Sequence, residues 1–331
     1  MRKIGLALDW QGDLHIEEVA LLAKAADESG VHSLRVAEAW GRDAFTTLAV
    51  LAHETKHIQL GTGVVNYYSR TPAALAQHFG ALDQLSGGRM FIGLGSSSPQ
   101  VVEQFHGVSY GKPIARLGEY VKIIDALLAK RPLSPTGEYF KLERGFTLRF
   151  TPVRPHIPIY VGAMTPRSLR SVASVADGLL AMTMPIERTA EYVRSLLDQV
   201  TAAGRDAGRF ELFSNFGTVI VTEDAKRGYE RIAATTAFYI ARMGDFYFEH
   251  FGRIGMGDEA TAARSAWQTG GVDAAAAVLA GATRRLGVAG SVAECIDWLE
   301  REREAGMTVL TVDVEESDFH KRVAIFKQLV G

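Results

Sequence analysis

The stretch that decides the fold runs from Ile58-Gln-Leu-Gly-Thr-Gly-Val-Val-Asn-Tyr67 to Leu82-Asp-Gln-Leu-Ser-Gly-Gly-Arg-Met-Phe-Ile-Gly-Leu-Gly-Ser-Ser-Ser98. It contains two apolar runs that are typical of buried strands, and each run ends in glycines and small polar residues. In sheets whose strands alternate with helices, ligands bind beyond the carboxyl ends of the strands, and glycine there lets a ring or a phosphate approach the backbone. The sequence therefore predicts a binding pocket at these two strand ends.

Short β-rich runs alternate with helical patterns along the whole chain. The eight predicted strands are 4–8, 33–37, 58–65, 90–94, 159–161, 178–181, 216–221 and 308–312. Such alternation indicates a parallel sheet, and eight units favour a closed (β/α)8 barrel of the TIM type over an open doubly wound sheet. The 331 residues are interpreted as a single α/β domain, because barrels commonly fill this length.

Two segments interrupt the alternation. Residues 134–152 alternate apolar and polar positions at a period of two, which predicts a hairpin added after the fourth helix. Residues 244–288 are aromatic at first and then rich in alanine, and they are predicted to be a helical insertion before strand 8. An insertion of this length could be a lid or a partner surface. It could also complete the outer packing of the barrel or form a dimer contact.

Composition restricts the class of partner. The 36 basic and 38 acidic residues nearly balance and the pI is near 6.5, so neither nucleic acid nor an anionic membrane surface is favoured. The first apolar run is too short for a signal sequence, and no apolar stretch reaches the roughly 18 residues of a membrane span. The single cysteine, Cys295, excludes an intramolecular disulfide and suits a reducing compartment. We expect a cytoplasmic protein that binds a small molecule.

The segment His53-Glu-Thr-Lys-His57 has the spacing of a zinc-protease motif. That chemistry needs both histidines on one face of a continuous helix. A strand is predicted from Ile58, so His57 falls at the turn between helix and strand, at the end of the barrel away from the pocket. No metal site is predicted.

The loop Gly162-Ala-Met-Thr-Pro-Arg167 directly follows the fifth strand. Thr165 suits an N-cap and Pro166 suits the first helical position, so the amides of a helix N-terminus would face the pocket and could bind a phosphate. An ordinary capped turn explains the same residues without a ligand. The two G-x-G patterns at Gly61 and Gly93 lack the third glycine of a dinucleotide fingerprint, which disfavours Rossmann-type binding.

The order of the strand-end motifs resembles that of the luciferase-like monooxygenase superfamily. The motifs are Leu60-Gly-Thr-Gly-Val64, Arg70-Thr-Pro72, Leu82-Asp-Gln-Leu-Ser-Gly-Gly-Arg89 and Gly93-Leu-Gly95. Two further segments resemble the branch of that superfamily that uses the deazaflavin coenzyme F420. These are Glu38-Ala-Trp-Gly-Arg-Asp-Ala44 and Ser98-Pro-Gln-Val-Val-Glu-Gln-Phe-His-Gly107. The resemblance covers residues 3 to about 200 and resumes near 288.

The resemblance implies positions for the coenzyme. Strand 3 would bulge at Gly63–Val64, usually through a non-proline cis peptide bond, and support the back of the deazaflavin ring. Ala39, Ser96 and Ser97 are predicted to belong to the same coenzyme-binding wall. The loop Gly162, Ala163 and Met164, with Met182 and Thr183 at the end of strand 6, would approach the ribityl-phosphate chain.

Three side chains are candidates for catalysis, and each has a structural alternative. Glu38, at the end of strand 2, could donate a proton beside the site of hydride transfer, or could simply pair with Arg42. Trp40 could form a wall of the substrate cavity or belong to the core. His106 is a reserve proton donor that a structural role explains equally well.

The departures from the family matter for the substrate. Relatives that reduce folate-like pterins or oxidise sugar phosphates carry an acid on strand 1, a histidine directly after the strand 2 acid, or an acid after strand 4. This chain has Ala7, Ala39 and Ser98 at these places. The resemblance therefore implies a homodimeric F420-dependent oxidoreductase that moves a hydride to or from a small organic substrate of unknown identity. The alternatives are an FMN-dependent monooxygenase of the same superfamily and a non-catalytic flavin-binding protein.

Overall fold

The computed structural model describes residues 1–10, 14–134 and 137–331. The strands are β1 (Ile4–Leu8), β2 (Ser33–Val36), β3 (Gln59–Thr62), β4 (Val65–Asn66), β5 (Met90–Gly95), β6 (Ile159–Gly162), β7 (Gly178–Leu180), β8 (Glu211–Phe213), β9 (Val219–Val221), β10 (Val288–Gly290), β11 (Leu310–Thr311) and β12 (Asp313–Val314). The helices are α1 (Ile16–Glu28), α2 (Ala44–Glu54), α3 (Pro72–Ser86), α4 (Pro113–Leu128), α5 (Pro166–Val175), α6 (Ile186–Ala202), α7 (Ala225–Arg242), α8 (Asp245–Arg253), α9 (Gly257–Leu279), α10 (Thr283–Leu286), α11 (Val292–Glu304) and α12 (Phe319–Val330).

Eight parallel strands form the barrel, in the order β11, β1, β2, β3, β5, β6, β7 and β8. A single bridge between Phe213 and Val309 brings β8 next to β11, so the barrel is nearly closed. The short strand β4 continues β3 and pairs with β5. This arrangement confirms the predicted (β/α)8 barrel.

The inside and the outside of the barrel are both packed. Inside, the aromatic rings of Phe91, Tyr160 and Phe213 lie 4.8 to 5.8 Å apart between centroids. Outside, the helices cover the strands, and side chains such as Leu60 and Ile92 are completely buried. Strands buried on both faces explain why the apolar runs in the sequence are continuous rather than alternating.

The predicted seventh strand is wrong. The seventh barrel strand is β8, whereas residues 219–221 form β9, which pairs with β10 and β12 in a separate parallel sheet. The segment Val219–Val221 is the more apolar of the two, but an apolar run predicts a buried strand and not the sheet that the strand joins. Between β8 and β11 the chain also forms β10 and α11, which the sequence pattern did not indicate.

The predicted hairpin at 134–152 is also wrong for the described residues 137–152, which form no strand. The backbone amides of Glu138, Tyr139 and Phe140 donate instead to the carboxylate of Glu119 on α4, at 2.8 to 3.3 Å. The alternating apolar side chains pack against α3 and α4, and they include Phe140, Leu142, Leu148 and Phe150. The Glu119 carboxylate therefore accepts the backbone hydrogen bonds that a partner strand would otherwise accept. The surface of α3 and α4 buries the apolar side chains.

Residues 244–288 contain α8, α9 and α10. Helix α9 changes direction at Gly270 and Gly271, and Gly271 has a φ of +66°, which is accessible to glycine. Helices α8 and α9 pack on α7, and Nε2 of His250 on α8 lies 2.9 Å from Thr183 O after β7, so the insertion extends the helical layer at the C-terminal end of β7.

Within the described ranges, no helix is both long enough and apolar enough to cross a membrane. The same residues contain no group of three or more His, Cys, Asp or Glu side chains arranged to bind a metal ion. Helix α2 ends at Glu54, so His53 and His57 lie on different elements.

His156, just before β6, links α4 to the connection between α5 and β7. Its Nδ1 lies 3.0 Å from Oδ1 of Asp125, and its Nε2 lies 2.8 Å from Oδ2 of Asp177. Hydrogen bonding to Asp125, and then to Asp177, raises the pKa of His156 to about 10. The imidazolium form is therefore the one that stabilises the fold.

We predict that replacing His156 by Gln destabilises the protein in a pH-dependent way. Because the folded-state pKa lies above the unfolded value of about 6.5, the stabilisation is complete below pH ~6.5 and is lost as the pH rises through about 10. Urea unfolding of both proteins across this range measures the difference, which solvent screening keeps modest at a half-exposed site. His53→Gln controls for the loss of an exposed histidine. A difference that grows with pH would contradict the assignment.

Candidate active site

A cavity of about 260 Å³ lies at the C-terminal ends of the barrel strands. Residues that follow seven of the eight barrel strands line it, together with residues of α4, α5, α7 and the start of α8. Its position is the one at which barrels of this type bind ligands.

Nine of the twelve residues predicted for the site line this cavity: Glu38, Ala39, Gly63, Val64, Ser96, Ser97, Gly162, Ala163 and Met164. The other three do not line it. Trp40 lies behind Trp10, with ring centroids 4.2 Å apart, and Trp10 takes the wall position predicted for Trp40. His106 Nε2 lies 3.2 Å from Nδ2 of Asn66, which is the residue that reaches the cavity.

Thr183 also lies outside the cavity and supports it from behind. Its hydroxyl accepts a hydrogen bond from the amide of Asn215, a lining residue, and its carbonyl oxygen accepts one from Nε2 of His250 at 2.9 Å. Burial lowers the pKa of His250 to about 4, so this imidazole is neutral and donates. Since His250 belongs to α8, the bond fastens the insertion to the loop after β7.

The floor of the cavity is the bulge after β3. The peptide bond between Gly63 and Val64 is cis, as the resemblance implies. Gly63 N donates to Val36 O at 2.8 Å, and Glu38 N donates to Val64 O at 3.1 Å, so the bulge is bonded to β2 and the loop that follows it. A Cβ atom on Gly63 would lie 2.4 Å from Cδ of Arg35, which makes glycine necessary at this place.

Arg35 fills the barrel beneath the bulge. It is 3% exposed, and its guanidinium donates to Thr311 Oγ1 and to Ser214 O, both at 3.1 Å. Burial lowers the pKa of Arg35 to about 10, so the group remains charged at neutral pH. The sequence pattern did not reveal this arginine, because it lies inside an apolar strand.

Glu38 pairs with Arg70 and not with Arg42, the partner that the sequence suggested. Its carboxylate accepts two hydrogen bonds from Arg70, at 2.5 and 3.2 Å, and a third from Ala44 N at 3.0 Å. Arg42 instead donates to the carbonyl of Leu14. A bidentate pair and a helix amide occupy Glu38 as an acceptor, which favours a role in positioning the loop after β2.

Two tyrosines that the sequence pattern did not single out bring hydroxyl groups to the cavity. Tyr67 and Tyr110 are 3% and 8% exposed, and both line the cavity with Ser96 and Ser97. The Tyr110 hydroxyl donates to Ser97 O at 3.2 Å. Burial raises the pKa of both phenols, and a hydrogen bond with the Ser96 side chain partly offsets this. Both groups are therefore protonated at neutral pH.

The N-terminus of α5 offers fewer free donors than the sequence suggests. Thr165 and Ser168 form a capping box in which Thr165 N donates to Ser168 Oγ at 3.0 Å and Ser168 N donates to Thr165 Oγ1 at 3.1 Å. Pro166 has no amide hydrogen. An anion here would be bound by the loop 162–164 and by Arg167, which is exposed in the first helical turn.

The chain belongs to the luciferase-like monooxygenase family, whose model matches residues 6–309. A protein of Mycobacterium tuberculosis, provisionally named a coenzyme F420-dependent oxidoreductase, is 32% identical over 84% of each chain. The 5,10-methylenetetrahydromethanopterin reductase of Methanolobus tindarius is 29% identical over 71% of each chain. Relatives of this chain thus include enzymes of F420-dependent redox chemistry.

Solved structures share the fold. The coenzyme F420 dependent tetrahydromethanopterin reductase of Methanopyrus kandleri superposes with a TM-score of 0.84 over 99% of this chain and 98% of that one, at 22% identity. An F420-dependent secondary alcohol dehydrogenase in complex with an F420-acetone adduct gives a TM-score of 0.78 over 100% and 98%, at 18% identity.

We predict that Gly63→Ala weakens coenzyme binding. The new methyl group would displace Arg35 or lift the bulge, and overpacking of this kind costs about 1 to 3 kcal/mol. The dissociation constant should rise by about fivefold or more, measured by titration of the coenzyme absorbance. Gly118→Ala, on α4 with nothing within 4 Å of the new methyl group, is the matched control. Equal affinity in both variants would remove the bulge from the binding site.

We also predict that a negative charge at Gly162 repels the coenzyme. A Cβ atom there meets Val64 Cγ1 at 3.5 Å, an ordinary contact, so Gly162→Asp should fold. Repulsion of a phosphate in a partly desolvated site should lower affinity about tenfold or more. Gly162→Asn has the same size without the charge and should bind within about threefold of the wild type. Equal affinities of Asp and Asn variants would place the phosphate elsewhere.

Proposed function

We propose that this protein is an F420-dependent oxidoreductase that transfers a hydride between the coenzyme and a small organic substrate. The observation that carries the proposal is the floor of the cavity, where the bulge at Gly63–Val64 lies beside the small residues Gly95, Ser96 and Ser97. A planar tricyclic ring needs such a flat surface of small residues. The 32% identity with a relative named for F420 supports this coenzyme over FMN.

The residues present fit a deazaflavin. A Cβ atom on Gly95 would lie 2.5 Å from Val64 Cγ2, so glycine keeps the surface beside the bulge open. Ala39 and Ser97 would flank the ring, and the loop Gly162–Met164 would receive the phosphate. When bound, the reduced coenzyme supplies a hydride from its C5 atom, and the chain orients the reactants and excludes water.

The wall that excludes water comes largely from the insertion and the helix before it. Tyr239, Met243, Phe246 and Tyr247 line the side of the cavity formed by α7 and α8. Tyr239 and Tyr247 pack together, with ring centroids 5.0 Å apart, and Phe246 is 39% exposed at the rim. We propose that this aromatic wall covers the substrate. This corresponds to the lid, one of the roles that the sequence suggests for the insertion.

A spectral titration with both coenzymes tests the function. We expect saturable binding of F420 with perturbation of its absorbance, at least tenfold tighter than binding of FMN, followed by oxidation of reduced F420 in the presence of a carbonyl substrate. Preference for FMN, with oxygen consumption by the reduced complex, would support a monooxygenase instead. Binding of F420 without turnover of carbonyl, enone and imine compounds would support a non-catalytic flavin-binding protein.

A further inference from the structure

Formal charge is nearly absent from the cavity. Among the described lining residues, only Arg35 and Glu38 have ionised side chains. Arg35 is bonded to Ser214 and Thr311, and Glu38 is bonded to Arg70 and Ala44. The guanidinium of Arg35 has only neutral partners, but it is buried beneath the bulge at 3% exposure, and the carboxylate of Glu38 is paired with Arg70, so neither charge is exposed to a ligand. A substrate with a phosphate or carboxylate beside the coenzyme ring, away from the loop 162–164 and Arg167 that would bind the coenzyme phosphate, would therefore lose its hydration without gaining a counter-ion.

Neutral hydrogen-bond donors are concentrated at one place in the same cavity. Tyr67 is fixed by its neighbours, because its ring lies 5.3 Å from that of Tyr68 and 5.7 Å from that of Tyr120. Its amide donates to Gly95 O at 3.2 Å, which ties it to the end of β5. Ser96 Oγ and the Tyr110 hydroxyl both donate to Ser97 O at 3.2 Å, and Tyr67, whose side chain interacts with Ser96, lines the cavity with them. Three hydroxyl groups therefore lie beside the predicted position of the ring.

Much of the remaining lining of the cavity is apolar. It includes Ile114 and Leu117 of α4, Met243, Phe246 of α8 and Trp10 after β1. A ligand that matches both the hydroxyl groups and this apolar lining has an apolar body and one hydrogen-bond acceptor.

We propose that the substrate is an uncharged, largely apolar ketone or aldehyde, or the corresponding alcohol, and that the Tyr67 hydroxyl is the catalytic proton donor to its oxygen. This inference rests on the proposed F420-dependent function. In this assignment the phenol of Tyr67, which is protonated at neutral pH, takes the place of the carboxylates and the histidine that relatives carry.

The reaction balances with the coenzyme as the only reductant. A hydride supplied by reduced F420 would form a bond to the carbonyl carbon, and the π electrons of the C=O bond would move to oxygen. That oxygen takes the proton of Tyr67, which is restored from solvent by way of Ser96. The hydride would carry two electrons from reduced F420, and one proton of the coenzyme would pass to solvent, so the net change would be reduced F420 plus carbonyl to F420 plus alcohol. An alkoxide is a stronger base than a phenolate, so transfer from a phenol is favourable.

The probes are acetophenone and 4-acetylbenzoate, which differ only by a carboxylate. Their binding to the coenzyme-loaded protein is measured by calorimetry, and their reduction is followed by the absorbance of F420. The wild type, Tyr67→Phe and Tyr68→Phe are compared. Tyr68 is the matched control, because its hydroxyl donates to Tyr110 O at 2.6 Å and it does not line the cavity.

We expect acetophenone to bind the wild type at least about tenfold more tightly than 4-acetylbenzoate, because the carboxylate is desolvated without a partner. Tyr67→Phe should lower kcat for acetophenone by about 10² to 10⁴-fold while coenzyme affinity stays within threefold. Tyr68→Phe should keep kcat within about threefold, since it loses only a structural hydrogen bond.

Tighter or equal binding of 4-acetylbenzoate, or binding of neither probe at its solubility limit, would overturn the assigned substrate class. Unchanged kcat in Tyr67→Phe, or an equal loss in Tyr68→Phe, would overturn the role of Tyr67. Absence of F420 binding to the wild type is a separate result that contradicts the proposed function itself, and the titration detects it before either probe is added.

Discussion

The position of the whole site depends on one buried cation, the guanidinium of Arg35. Removing this charge from water is costly, and the hydrogen bonds to Ser214 O and Thr311 Oγ1 offset that cost. Both acceptors lie at the seam between β8 and β11, where the backbone is joined by the bridge of Phe213 and Val309. Thr311 N also donates to Ser214 Oγ at 2.9 Å. The arginine on β2 thus helps to close the barrel across its interior.

The same side chain determines the shape of the pocket floor. Because Arg35 lies directly beneath Gly63, the backbone after β3 has no room for a Cβ atom and passes over the arginine as a bulge. The bulge moves Val64 towards β5, where only glycine fits at position 95. Packing inside the barrel therefore produces the small, flat surface above it, and a coenzyme ring can rest on a surface that the core already holds in place.

The features that could be predicted from the sequence are those that depend on residue types close together in the chain. Glycines and serines at strand ends identify the pocket floor, because a close approach to the backbone demands small residues there, and alternating strands and helices identify the barrel. The sequence could not predict which arginine would pair with Glu38, since Arg42 is near in sequence but Arg70 is near in space. Nor could it separate β8 from β9, or reveal that Glu119 would satisfy the amides of 138–140. Each of these outcomes depends on contacts between distant segments.

The proposed role of Tyr67 is not indicated by any of the sequence motifs that usually identify catalytic residues. A carboxylate or histidine in a motif attracts attention because its charge varies near neutral pH, whereas a buried tyrosine has the pattern of a core residue. Burial, followed by the neighbouring Tyr68 and Tyr110, raises the pKa of Tyr67, so its proton is retained until a stronger base forms beside it. Such a base arises only when a hydride adds to a carbonyl group. A neutral donor of this kind stabilises the transition state more than the ground state, which is the condition for catalysis, and it does so without placing a charge in an apolar cavity.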